Sequence, residues 1–183
     1  MKKALVLLMV SFVVLCGVSV IMAQDNPLKK NEKRIHGEFS AAIPAERIIG
    51  VNEFRKVHDD VLVGKKNAYL IDVRSHDEFY AFHIEGTDHV PSGHMYTLPK
   101  NITDPNAEIY VFCRTNHRAA YAAGFLYKYG YKNVWLYNDG IVGWAAAGLP
   151  FVNQFTGKFK IFEYRTTPSD EEKSYRIREN HPY

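Results

Sequence analysis

The 183-residue chain carries 23 basic and 20 acidic side chains, giving a formal charge of +3 at pH 7, and is 46% hydrophobic. So nearly balanced a charge gives no reason to expect a nucleic-acid partner. The length suits one good hydrophobic core and is short for two.

At the amino end, Lys2 and Lys3 precede an uncharged apolar run over residues 4–23, and polar Gln24, Asp25 and Asn26 follow at once. This pattern is that of an export signal cleaved after Ala23, with a periplasmic or secreted product. The alternative is a membrane anchor over residues 4–23, since about 20 apolar residues can span a bilayer. The cluster Lys29, Lys30, Lys33 and Arg34 weighs against the anchor, because positive charge beyond a span favours the opposite orientation. Membrane attachment is therefore expected only if this segment is retained. Its removal takes Lys2 and Lys3, leaving 21 basic against 20 acidic residues and a net charge near +1. Cys16 leaves too, so Cys113 becomes the sole cysteine and no internal disulfide can form.

Residues 24–42 are polar and charged with little periodicity and read as a linker. The compact domain is expected over residues 43–152. Within it, 47–49 can form a short strand, and 52–61 carries a helical pattern in which Phe54, Val57 and Val61 share a face. Gly64 to Asn67 reads as a turn, 68–71 as a strand apolar on both faces, and the segment through Glu78 and Phe79 as a short helix. Residues 91–105, with Pro91, Gly93, Pro99 and Pro105, read as a long irregular connection. A buried strand follows over 108–112, then an alanine-rich helix over 119–129 closed by Gly130, a strand over 134–136 and a last helix over 141–147. Beyond the domain, residues 153–183 form an extension in which 158–161 alternates like an edge strand. Ser169 to Glu172 then resembles a capping box. Short apolar strands alternating with helices imply an α/β fold, a central parallel sheet with helices on both faces. Ligands of such sheets bind at the carboxyl ends of the strands.

That is where Cys113 falls. The segment Cys113-Arg114-Thr115-Asn116-His117-Arg118 joins the end of the 108–112 strand to the start of the alanine-rich helix. Unpaired helix N–H groups and the macrodipole favour negative charge there, and Arg114 and Arg118 add two cations. In comparable settings cysteine pKa values fall from about 8.5 to roughly 3.5 to 7.5, so a nucleophilic thiolate is expected. His83, His89 and His94 match no recognised zinc spacing, and no metal site is expected. Tyr110, Phe112, Trp135 and Trp144 read as core residues, and Asp72, Arg74 and Glu78 as a structural ion network.

Four blocks in order resemble the rhodanese-like sulfurtransferases. Ile71-Asp72-Val73-Arg74 with Glu78-Phe79 is similar to the family's first motif, and His83-Ile84 with Gly86 to its continuation. Cys113 to Arg118 matches the active-site loop, and Asp139-Gly140 with Trp144 and Gly148-Leu149-Pro150 the closing motif. The resemblance implies a rhodanese-like fold in which Cys113 takes the outer sulfur of a donor such as thiosulfate, becomes a persulfide, and passes the sulfur to cyanide or a thiol. A protein acceptor is a further possible partner. Cys113 would be the catalytic residue, and Arg114, Thr115, Asn116, His117 and Arg118 would bind substrate, with Arg118 also able to brace the loop. No metal or organic cofactor is implied.

The chain departs from the family at Asn116, where glycine is usual and a positive φ is expected, and at His117, where a small polar residue is more common. Phe82 also replaces the glycine usual before His83. Three other functions are open to such a loop, one of them a redox thiol in which Cys113 pairs with a cysteine of another protein. A catalytically silent binding module is the runner-up, because fold does not imply function. A phosphatase or arsenate reductase fits less well, because phosphatase loops of this kind place the arginine six positions after the cysteine and here the interval is five.

Overall fold

A computed structural model of the protein describes residues 26–161. The expected signal or anchor, Cys16 and the 169–172 capping pattern lie outside the described residues. Two compact units divide between Arg34 and Ile35, and the sheet and candidate site belong to the second. In chain order the elements are helix α1 (Pro27–Ala41), strand β1 (Ile48–Ile49), helix α2 (Val51–Leu62), strand β2 (Tyr69–Asp72), helix α3 (His76–Ala81) and strand β3 (Asp88–His89). They continue through a 3-10 turn (Ser92–Thr97), helix α4 (Leu98–Asn101), strand β4 (Ile109–Phe112), helix α5 (His117–Tyr129), strand β5 (Val134–Tyr137) and helix α6 (Gly140–Ala146).

The strands form one sheet in the order β1-β5-β4-β2-β3, every pairing parallel. All four residues of β4 are buried, as the central strand of a sheet covered on both sides must be. Alternation along β4 sends Ile109 and Val111 into one core with Ala119, Ala123 and Leu126 of α5. Tyr110 and Phe112 enter the other with Phe54 of α2 and Ile141 and Trp144 of α6. Burying each of these large side chains contributes about 1.5–3 kcal/mol, and the two faces together fix β4 in register.

Two expectations are corrected here. The stretch read as a polar linker holds α1. The sequence shows it weakly because Phe39 is its only buried residue, although Asn26 accepting from the Leu28 amide at 3.0 Å, with Pro27 next, is a regular helix start. The segment read as irregular holds the 3-10 turn and α4, whose prolines and glycine mask the helical spacing of Met95, Leu98 and Ile102, all buried. In the extension, the expected edge strand reduces to one antiparallel bridge, with Phe151 and Phe159 exchanging backbone hydrogen bonds of 2.8 and 2.9 Å.

The carboxyl end of β2 is held by a buried ion pair. Asp72 is 0% and Arg74 1% exposed, and the guanidinium donates from Nε to both carboxylate oxygens at 2.9–3.0 Å and from Nη2 to the Phe82 carbonyl at 2.7 Å. Nη2 also lies 2.7 Å from Asp72 Oδ2. Removing one partner strands a buried charge, so Arg74→Ala is expected to cost about 3–5 kcal/mol of stability in urea unfolding.

Candidate active site

Cys113 follows β4 directly and is 1% exposed, its side chain lying in the core face shared with Ile109 and Val111. From there to α5 the chain turns its carbonyl groups toward α6. The Ile141 amide donates to the Cys113 carbonyl at 3.0 Å and the Val142 amide to the Arg114 carbonyl at 3.1 Å. A Cβ on Gly140 would stand 2.5, 2.8 and 2.7 Å from the carbonyl oxygens of Cys113, Arg114 and Thr115. Gly140 also has φ +57, so both the space and the backbone require glycine. In a planar trans peptide the C=O and the following N–H point in opposite directions. The amides of Arg114, Thr115 and Asn116 therefore face away from α6.

The loop ends at Asn116, the N-cap of α5, whose carbonyl accepts from the Ala120 amide at 2.9 Å. The first turn of α5 contains no acidic side chain of its own to offset the positive end of the helix dipole. Asn116 does not adopt the positive φ expected of it: its φ is −154 and its ψ −35. No described non-glycine residue has a positive φ. The close approach is accommodated across the loop, at Gly140, which leaves position 116 in a conformation open to asparagine.

The remaining loop residues divide between surface and brace. Thr115 and His117 are exposed, and Arg114 is half-buried. Arg118 is a brace: its guanidinium meets Glu78 of α3 in a two-pronged pair of 2.5 and 2.8 Å. Glu78 is held in turn by the α3 capping box, accepting from the Ser75 amide at 3.1 Å while the Ser75 hydroxyl accepts from the Glu78 amide at 3.3 Å. Burial alone would raise the Glu78 carboxyl, but Arg118 and Ser75 outweigh it and bring the pKa down from 4.5 to about 2. Arg118 is pushed up, first by its hydrogen bond to Glu78, with burial opposing and smaller Coulomb contributions from Glu78, Cys113 and Asp72. The ion network expected of Asp72, Arg74 and Glu78 is thus two separate pairs, Asp72 with Arg74 and Glu78 with Arg118. Ser75-x-x-Glu78 was the readable signal for the capping box, while the Arg118 contact, 40 positions away, leaves no local trace.

Two of the three histidines read as possible ligands are engaged in packing, and His94 is exposed. His83 and His89 stack on the Phe79 ring at 4.0 and 4.3 Å. His83 Nδ1 lies 3.1 Å from the Phe79 carbonyl and His89 Nε2 2.9 Å from that of Arg74. Among the described residues no group of histidine, cysteine or carboxylate side chains is arranged to hold a metal. Sequence reasoning also missed His36, on α1, whose ring stacks on His117 with centroids 4.2 Å apart.

The low Glu78 pKa carries a pH dependence. A carboxyl whose folded pKa lies below its unfolded value adds stability above the unfolded pKa and loses it as pH falls through the folded one. The Glu78 contribution should be complete above about pH 4.5 and fade toward pH 2. In melting temperature against pH, Glu78→Gln should flatten the acid limb over that window and lower the plateau above it.

The rhodanese-like domain family matches residues 56–147. A sulfurtransferase of Allochromatium vinosum is 27% identical over 93 residues, which cover 50% of this chain and 84% of that protein. The polysulfide-sulfur transferase homodimer of Wolinella succinogenes superposes with a TM-score of 0.52 at 26% identity, covering 69% of this chain and 93% of that one. The thiosulfate sulfurtransferase of Pseudomonas aeruginosa gives a TM-score of 0.53 at 23% identity over 69% of this chain, but only 24% of that longer chain. With its parallel sheet, its cysteine loop after β4 and a family match over half its length, the chain belongs to the rhodanese-like domain family.

Proposed function

We propose that the protein is a sulfurtransferase that carries a sulfane sulfur as a persulfide on Cys113. The observation that carries the reading is the orientation of the loop, with the carbonyls of residues 113–115 turned to Gly140 and the amides of 114–116 turned the opposite way. Such amides, with the α5 dipole, stabilise an anion one atom beyond the Cys113 sulfur, an electrostatic role like that of an oxyanion hole. The Cys113 thiolate attacks the outer sulfur of thiosulfate. The new S–S bond forms as the old one breaks, and sulfite leaves with the electron pair. Cyanide then attacks the outer sulfur of the persulfide, releasing thiocyanate and restoring the thiolate, or a thiol acceptor takes the same sulfur.

Arg114 supplies charge for the anionic donor, and Thr115, Asn116 and His117 form its rim. Arg118, tied to Glu78, keeps the loop in shape. The polysulfide-sulfur transferase of Wolinella succinogenes adds polysulfide to the donors to be tried. The catalytic domain on this reading spans residues 43–152. Residues 1–23 act as an export signal, so that Cys113 works alone outside the cytoplasm.

Intact mass after incubation with thiosulfate tests the proposal. One added sulfur, removed by a reductant and absent in Cys113→Ser, is expected, together with thiocyanate production when cyanide is supplied. Hydrolysis of a phosphate ester without sulfur uptake would overturn it in favour of a phosphatase. A wild-type rate no higher than that of Cys113→Ser would leave a binding module. Gly140→Ala should slow sulfur loading by about 10²-fold or more, because its Cβ would displace the carbonyls that aim the amides.

A further inference from the structure

The last turns of α1 pack on α5 through Phe39, which is 8% exposed, with its ring 4.5 Å from Phe125 and 5.3 Å from Tyr121. Gly124 admits it: a Cβ there would stand 2.8 Å from both the Phe39 ring and its carbonyl oxygen. His36 lies three residues earlier on the same helix face and so reaches the loop end of α5. Its ring stacks on His117 at 4.2 Å and 5° and meets the Tyr121 ring edge-on at 5.2 Å. His117 is exposed and is the first residue of α5 after the N-cap Asn116, so it stands at the loop end of the helix. His36 Nε2 is shielded from solvent and makes no hydrogen bond. A nitrogen left this way costs stability. What His36 gives the loop is therefore a flat ring face.

We propose that His36 is a positioning residue, holding the His117 imidazole at the rim where a ring N–H can donate to an oxygen of an oxyanion-bearing sulfur donor. The inference rests on the sulfurtransferase reading and adds a substrate preference to it. The rhodanese-like match begins at residue 56, so His36 is contributed from outside it, yet it belongs to the same compact unit as the loop. Fixing one ring by stacking is worth about 3- to 10-fold in the occupancy of the oriented state.

The test compares donors with and without oxygens. Rapid-quench intact mass would follow addition of one sulfur to Cys113 from thiosulfate and from inorganic polysulfide, in wild type, His36→Ala, His36→Phe, His117→Ala and the His36→Ala/His117→Ala double variant. His36→Ala should raise the half-saturating thiosulfate concentration about 3- to 10-fold while the maximal rate and polysulfide loading hold. His36→Phe keeps the stack and removes the unpartnered nitrogen, so it should load like wild type and melt no lower. The double variant should be no worse than His117→Ala alone. Equal losses with both donors, His36→Phe behaving like His36→Ala, or additive effects in the double variant would overturn the proposal. Wild type that takes no sulfur from either donor would sink the sulfurtransferase reading and this inference with it. Normal wild-type loading with an indifferent His36→Ala would sink this inference alone.

Discussion

Three carbonyl oxygens crowd the spot where a Cβ on Gly140 would stand, and the site is arranged around that crowding. A peptide group is rigid, so turning its oxygen toward α6 turns its hydrogen the other way. The hydrogen bonds from Ile141 and Val142 hold the oxygens there, and both donors belong to the first turn of α6, whose amides have no partner within their own helix. One helix start thus satisfies its orphan donors by aiming the amides of the loop before another. The arrangement depends on the strand order. Because β5 pairs directly with β4, the segment leaving β5 arrives beside the segment leaving β4.

β2, on the other side of β4, supplies the second support. Its exit is pinned by the buried Asp72–Arg74 pair, and α3 then presents Glu78 to Arg118. The two pairs differ in kind. Asp72 and Arg74 are out of water, so each needs the other to be tolerable at all. Glu78 and Arg118 are about one third exposed, where an ion pair adds little to global stability but two short hydrogen bonds still define an angle. The second pair therefore matters more for the shape of the loop than for the fold. A loop held from both sheet neighbours is already organised before a donor arrives, and preorganised dipoles lose the least in stabilising a new charge.

What the sequence could show follows the same division. Local signals were legible: the continuous apolar run of β4, the alanines of α5 and the glycine that closes it, and the cysteine and arginines between them. Asn116 was misjudged because the conformation of a loop position depends on what faces it, and Gly140 is 24 positions further along the chain. Helix α1 left little trace because a helix that buries one side chain needs no apolar stripe. His36 was invisible for a related reason, since a stack between two histidines 81 positions apart has no signature in composition or period. The ordered motifs were more informative than any local pattern, because two of them, through Glu78 and Gly140, record tertiary contacts of the loop.

The burial of Cys113 bears on which donors such a site can use. At 1% exposure the sulfur is accessible only to a slender group, and a sulfane sulfur at the end of thiosulfate or a polysulfide chain is one. On the proposed persulfide reading, the transferred sulfur would stand about 2.05 Å beyond the thiol sulfur, so the reactive atom for the second half of the cycle would reach further than the thiol does. The first step is then more selective than the second. On this reasoning the rim residues Arg114, Thr115, Asn116 and His117 govern the entry of the donor, while the acceptor is limited chiefly by its ability to attack sulfur. Under the proposed export of the chain and loss of Cys16 with residues 1–23, no second cysteine would be left to resolve a persulfide on Cys113, and turnover would depend on an acceptor from outside.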